Sequence, residues 1–270
     1  MPSVTAALET VGLEKRFDQL PVTRQLSLRI EAGAHHALIG PNGAGKTTVI
    51  NLLTGVLRPD AGRIMLEGFD ITGLPVHARV RRGLSRTFQV NQLYPDLTPW
   101  ETIGLAVSER MRHGGDWWRR LGTRADVCDE IAEILTRFHL LDVMNEPTAE
   151  LPYGKQRLLE IALAIATKPR VLLLDEPGAG VPEAERHDIL AAMANLPKDV
   201  TVLLIEHDMD LVFSFADRIS VLVGGALLVE GTPGEVARDP RVKAVYLGEA
   251  AASDPEPIAE PQNRRESLGC

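Results

Sequence analysis

The stretch GPNGAGKTT, Gly40 to Thr48, constrains this chain more than any other. It fits the pattern G-x-x-x-x-G-K-[ST] in full. Its surroundings fit as well: Ala37, Leu38 and Ile39 read as the end of a buried strand, and Val49, Ile50, Leu52 and Leu53 as a helix. A loop held between strand and helix can wrap a phosphate chain, because Gly40, Gly43 and Gly45 place no side chain between the backbone N–H groups and the anion. Pro41, Asn42 and Ala44 complete the loop. The helix N-terminus adds its dipole and free N–H groups. Lys46 reaches the β- and γ-phosphates, the Thr47 hydroxyl suits Mg2+, and Thr48 closes the motif. The expectation is a nucleoside triphosphate site.

At 270 residues the chain can bury one large core, or one core with a subdomain. No run of about eighteen apolar residues is present to span a membrane, and the start MPSVTAALET lacks the basic and apolar segments of a signal peptide. A formal charge of -8 argues against broad nucleic-acid binding. The two cysteines, Cys128 and Cys270, have no metal-ligand spacing and suit a reducing cytosol.

Residues from about 4 to 39 read as β-rich, with polar–apolar alternation from Gln25 to Ile30. Phe17 follows a first strand, where it either stacks on an adenine or packs in the core. A strand over Arg63 to Glu67 and a short one over Leu84 to Phe88 follow, the latter ending at Gln89. Helices are expected over Trp100 to Arg112, Ala125 to Leu141, Gly154 to Thr167 and Glu183 to Leu196. His113 to Arg124, with Trp117 and Trp118, reads as an exposed basic insertion. Val171 to Leu174 is apolar throughout and Thr201 to Ile205 repeats that pattern, as in the centre of a parallel sheet, and with the helix between them they form a βαβ unit. Strands over Ile219 to Val223 and Leu227 to Glu230 and two short helices come next. The tail from about Ala251 is poor in apolar residues and is expected to be disordered.

Four of these strands end in polar groups: Ile39 in the phosphate loop, Phe88 in Gln89, Leu174 in Asp175-Glu176, and Ile205 through Glu206 in His207. In an open parallel sheet, ligands bind beyond the carboxyl ends of the strands. If these strands are parallel neighbours, the four groups meet around one phosphate. Asp175 then holds Mg2+ through water, and Glu176 polarises the attacking water. Gln89 touches Mg2+ or that water, and His207 hydrogen-bonds the γ-phosphate. LPYGKQR, Leu151 to Arg157, is a second glycine-bearing helix start. It can serve the nucleotide of a neighbouring subunit.

With these motifs in order over residues 4 to 250, the chain resembles the ATPase subunits of ATP-binding-cassette (ABC) transporters. GPNGAGKTT resembles the Walker A motif, Gln89 the Q-loop, LPYGKQR the family signature, VLLLDEP the Walker B motif, and His207 the switch histidine. RTFQ (Arg86 to Gln89), LPYGKQRLLEIA, LLIEHDM (Leu203 to Met209) and AVYLGEA (Ala244 to Ala250) resemble the importers for branched-chain and related hydrophobic amino acids. The resemblance implies an α/β fold of the P-loop NTPase (RecA-like) class. That fold has a mostly parallel sheet, an N-terminal antiparallel β part and an inserted α-helical subdomain. The core would take about 4–88 and 168–250, the helical subdomain about 89–167, and the tail 251–270.

The resemblance also implies ATP and Mg2+ as ligands and contacts from Tyr153, Gly154 and Lys155 to the partner's nucleotide. The partners implied are a homodimer or heterodimer with a related ATPase subunit, two transmembrane permease subunits and, indirectly, a substrate-binding protein. The place implied is the cytoplasmic face of the inner membrane. Three positions depart from the family pattern. Pro152 and Lys155 stand where a serine and a glutamine contact the partner's nucleotide, and the loop Ala179 to Pro182 ends in proline where aspartate is usual. The alternative is a soluble ABC-type ATPase acting on nucleic acid or ribosomes, which usually carries a coiled coil or two fused cassettes. Asn91 to Leu97 is expected to offer Leu93, Tyr94 and Leu97 to a short helix of a membrane subunit, or else to place Leu93 and Tyr94 in the core of the helical subdomain.

Overall fold

The computed structural model describes residues 6–87, 93–111 and 125–252, with side chains through 246. The basic insertion with Trp117 and Trp118, and residues 253–270 of the tail, lie outside the described residues.

β1 (Ala6–Phe17) and β2 (Leu20–Glu31) form a long antiparallel pair, with Leu26, Leu28 and Ile30 buried on the alternating face. β3 (His35–Ile39) runs into the phosphate loop and α1 (Lys46–Thr54). β4 (Ala61–Leu66), β5 (Phe69–Asp70), α2 (Val76–Arg81) and β6 (Leu84–Arg86) follow. α3 (Pro99–Arg110) opens with a capping box: Thr98 accepts from the Glu101 N–H and Glu101 accepts from the Thr98 N–H. α4 (Ala125–Arg137), two 3-10 turns at Leu141–Val143 and Thr148–Glu150, and α5 (Tyr153–Ala166) complete a helical region. β7 (Val171–Asp175), α6 (Glu183–Ala194), β8 (Thr201–Ile205), α7 (Met209–Phe215), β9 (Arg218–Val223), β10 (Ala226–Gly231), α8 (Pro233–Arg238) and α9 (Pro240–Ala252) close the order.

The strands divide into a four-stranded sheet, order β2-β1-β4-β5, and a six-stranded sheet, order β10-β9-β3-β8-β7-β6. The first is antiparallel throughout. In the second, every pairing from β9 to β6 is parallel, and β10 alone is antiparallel, joined to β9 through Gly224-Gly225. The expected α/β class, with a mostly parallel sheet, an N-terminal antiparallel part and inserted helices, is the one found.

The apolar run of β7 and β8 has a simple cause: both faces are covered. Leu172, Leu174, Val202 and Leu204 face a core shared with α3, α4, α5 and α6. Val171, Leu173, Leu203 and Ile205 point the other way, toward α1 and the antiparallel sheet. Successive side chains alternate between the two faces, as strand geometry requires. The core beneath the sheet ends is therefore dry, and truncating a residue such as Leu174, fully buried, costs about 2–5 kcal/mol.

Arg79 fixes the far end of α1. It is 1% exposed and donates to the carbonyls of Leu52 and Leu53 at 2.7 and 2.6 Å and to those of Leu74 and Thr72 at 2.9 and 2.8 Å. A cation at a helix C-terminus meets the negative end of the dipole and the carbonyls left without intrahelical donors.

Three details differ from the sequence reading. α4 stops at Arg137 rather than continuing to Leu141, because His139 takes a left-handed conformation (φ 53) and the Leu140 N–H turns back to Leu135. α2 and α7 were not expected; six and seven residues are too short to show a helical period. The third strand edge, β6, ends at Arg86; Phe88 and Gln89 lie outside the described residues. Among the described residues no helix is long and apolar enough to cross a membrane.

Candidate active site

The phosphate loop sits between β3 and α1, as its motif requires. Gly40 adopts φ 154, and a Cβ there would collide with the carbonyl oxygen of Leu222. No other residue fits where β9 passes so close. The loop is braced from the hairpin of β9 and β10: the Gly225 N–H donates to Ala44 at 3.0 Å, and the Arg24 N–H to Gly225 at 2.8 Å. Ala44 is buried, whereas Asn42, Gly43 and Thr47 are exposed, so the loop presents an open surface to a ligand. Gly45 is the N-cap of α1 in a left-handed conformation, with no side chain satisfying the helix's first N–H groups. Lys46 Nζ donates to the Gly40 and Pro41 carbonyls, a cation folded onto the loop that a phosphate chain would draw away. Pro41 and Thr48 flank it, both half-buried.

The strand ends meet as parallel neighbours. Ile205 of β8 lies between Leu38 of β3 and Asp175 of β7, paired to each. Neighbouring strands lie about 4.8 Å apart, so the phosphate loop and Asp175 leave the sheet about 10 Å from one another. Asp175 is 3% exposed. Its Oδ2 accepts from Arg86 Nη2 at 2.7 Å, and its backbone N–H donates to Thr87 Oγ1 at 3.3 Å. Arg86 Nη1 donates to Asn51 Oδ1 of α1 at 2.9 Å.

Glu176 turns out of the strand with φ 47, while its N–H still donates to Ile205 at 2.8 Å. A left-handed glutamate is uncommon and strained; here it separates two adjacent carboxylates, one drawn into the sheet and one aimed out of it. His207 stands opposite, its Nδ1 3.7 Å from Glu176 Oε1 and 3.4 Å from Glu206 Oε2. Glu206, 2% exposed, braces that turn by accepting from the N–H groups of His207, Asp208 and Gly178. A carboxylate beside an exposed imidazole, next to a phosphate loop, is suited to moving a proton from water.

The LPYGKQR segment opens α5 with Pro152 as N-cap. Gly154 donates its N–H to Glu185 Oε2 at 2.8 Å, and a Cβ at Gly154 would collide with that carboxylate. Tyr153 Oη reaches the Ala179 carbonyl at 3.3 Å, and the Arg157 guanidinium lies over its ring. Lys155 does not stand free in solvent. Its Nζ donates to the His139 carbonyl and pairs with Asp142 at 3.0 Å, and the bond to Asp142 holds that carboxyl below the usual carboxylate range.

Phe17 ends β1, 45% exposed, with Lys15 Nζ 5.8 Å above its ring. It is a surface aromatic, not a core one. Leu93 packs partly buried against the helical core, while Tyr94 is 67% exposed. Leu93, together with Val56, Val76, Val80 and Leu163, lines an apolar groove of about 260 Å³. A wider cavity of about 1130 Å³, lined by Phe69, Arg81, Arg82, Lys168 and Arg170, adjoins it and is remote from the phosphate loop. The sequence reading gave no role to Arg86, Asn51, Thr87, Glu185 or Glu206. Arg86 and Thr87 carried a signal as the first two residues of RTFQ, and Glu206 as part of LLIEHDM.

Residues 23–179 match the ABC transporter family. This chain is an ABC transporter ATPase. A second match, over residues 226–252, is to the branched-chain amino acid ATP-binding cassette transporter family. The ABC ATPase is 41% identical over 252 residues to the high-affinity branched-chain amino acid transport ATP-binding protein BraF of Pseudomonas aeruginosa, covering 90% of this chain and 98% of that one. It is 38% identical to LivG of Escherichia coli K12, similarly named, over the same shares. Among solved structures it resembles the ADP conformation of MJ1267, an ATP-binding cassette of an ABC transporter, with a TM-score of 0.77, 30% identity, and 90% and 99% of the two chains covered. A nucleotide-free ATP-binding cassette from an ABC transporter gives a TM-score of 0.76 at 29% identity, covering 89% and 98%. This ABC ATPase binds nucleotide and hydrolyses ATP, as the family does.

Proposed function

We propose that this ABC ATPase is the motor subunit of a membrane importer for branched-chain amino acids or related small solutes. The similarity to BraF over 90% of the chain carries this reading, supported by the separate match at residues 226–252. The same comparisons support the importer reading rather than action on nucleic acid or ribosomes. The core of about 4–88 and 168–250 serves as the catalytic part, and the helical region of about 89–167 presents the signature.

ATP lies with its phosphates on the loop from Gly40 to Thr48 and its adenine against Phe17. Lys46 counters the β- and γ-phosphate charge. The donor set fits Mg2+: the exposed Thr47 hydroxyl and the Asp175 carboxylate are hard oxygen donors, and such an ion takes one or two protein ligands beside phosphate and water. Gln89 is assigned the same ion or the attacking water. Bound Mg2+ would supply charge neutralisation at the phosphates. Glu176 accepts the proton of the attacking water, and His207 holds the γ-phosphate. Each ATP is closed over by Tyr153, Gly154 and Lys155 of a second ATPase subunit, identical or related. Pro152 offers no hydroxyl for that contact.

Two permease subunits bind at the surface that carries exposed Tyr94, at the cytoplasmic face of the inner membrane, and a substrate-binding protein feeds them from the other side. Purification of the tagged chain from membranes in mild detergent should bring down two polytopic permeases. Proteoliposomes of that complex, with the binding protein, should take up leucine only with ATP. Recovery with ribosomes or nucleic acid instead would overturn the reading.

A further inference from the structure

We infer that Arg86 is a positioning residue for the Walker B carboxylate, gripping Asp175 by one oxygen and tying it to the phosphate-loop helix before nucleotide arrives. This rests on the reading of Asp175 as the metal-side carboxylate.

The geometry is a fork. Arg86 Nη2 holds Asp175 Oδ2 at 2.7 Å, and Nη1 holds Asn51 Oδ1 at 2.9 Å. The planar guanidinium fixes the angle between the two bonds, which a single ammonium cannot do. Asn51 lies one helical turn beyond Thr47 and on the same face of α1. The two candidate metal-side groups, Thr47 and Asp175, thus belong to different elements that Arg86 ties together. The grip continues on the backbone, where Asp175 donates to Thr87 Oγ1 and the Thr87 N–H donates to Leu173 at 2.9 Å. Arg86 and Thr87 therefore hold Asp175 by side chain and main chain at once.

Stability alone does not account for this pair. Its side chains are 11% and 4% exposed, and burying both charges costs solvation that their attraction barely repays. What the pair provides is one orientation of the carboxylate, with Oδ2 occupied by Arg86 and Oδ1 left for the metal's water. A rival account makes Arg86 a mere counter-charge. The two differ in sign. A counter-charge repels a divalent cation, so its removal strengthens metal binding. Loss of a positioning residue weakens it.

The test is calorimetric titration of the full chain with ADP, in EDTA and in saturating Mg2+; the ratio of affinities is the metal's gain. Arg86→Gln should keep the EDTA affinity and lose about tenfold of the gain, the effect typical of groups that orient a metal's ligands. Arg86→Lys, which keeps the charge but not the fork, should lose it too, and decides by the same criterion if Arg86→Gln does not fold. An unchanged or larger gain overturns the proposal. Asp175→Asn is run alongside: if it retains the gain, the assignment of Asp175 fails, and the inference about Arg86 fails with it for that separate reason.

Discussion

Replacing His36 by leucine should flatten the acid limb of this protein's stability. His36 lies in β3, four residues before the phosphate loop, and is 1% exposed, with Nε2 2.8 Å from Ser220 Oγ. Burial pushes its pKa from 6.5 down to about 4; the Glu230 carboxylate opposes that and Arg218 reinforces it. The folded state therefore holds a neutral imidazole, whereas the unfolded chain takes up a proton below pH 6.5. The contribution is complete above that pH and is lost as pH falls toward about 4. The full gap corresponds to about 3 kcal/mol, of which about 2 kcal/mol is lost between pH 7 and pH 5. Leucine has a similar volume and does not titrate, and Ser220 Oγ keeps its 3.2 Å bond to Glu230. Urea unfolding of both proteins at the two pH values measures the difference. The wild type should lose about 2 kcal/mol more than His36→Leu on acidification. Equal losses would show that His36 is not held neutral by the fold.

Lys46→Ala should weaken ATP binding to the isolated subunit, since it removes the phosphate counter-charge, and equilibrium dialysis with labelled ATP reads this directly. Lys155→Ala breaks a surface pair with Asp142 and the bond to the His139 carbonyl, so it should cost about 1 kcal/mol, spare ATP binding to the monomer and lower hydrolysis in the assembled dimer; an equal loss of monomer affinity in the two variants would refute the role across the dimer. Tyr94→Ala should melt within a degree or two of the wild type, because its ring is 67% exposed and surface changes stay within about 0.5 kcal/mol. It should nonetheless assemble poorly with the permeases, and normal transport by that variant would remove Tyr94 from the docking surface.

The elements most legible in the sequence are those whose signal is local and whose neighbours are symmetric. Val171 to Leu174 and Val202 to Ile205 are apolar because helices and a second sheet cover both faces, so composition alone places them in the sheet's interior. The phosphate loop is legible because its motif is short and continuous in sequence, though the collisions that Gly40 and Gly45 avoid come from distant Leu222 and Val22. What the sequence hid is pairing across long separations. Arg86 meets Asp175, Gly154 meets Glu185, and Lys155 meets Asp142, each joining loops or element ends whose proximity follows only from the folded topology. Lys155 shows the consequence, since a residue expected to reach the partner's nucleotide is held on its own chain. Glu176 shows another: no residue type signals its left-handed turn, which comes from the chain leaving the sheet beside β8.

We propose that the parallel strand ends form one ATP-hydrolysing site with Glu176 as the base. The most direct measurement is Glu176→Gln, which keeps the shape of the side chain and removes its basicity. Labelled-ATP binding and steady-state phosphate release are measured on the same preparation. ATP affinity should be preserved, phosphate release should fall about a hundredfold or more, and gel filtration with ATP should show a persistent dimer. Phosphate release at the wild-type rate would contradict the account.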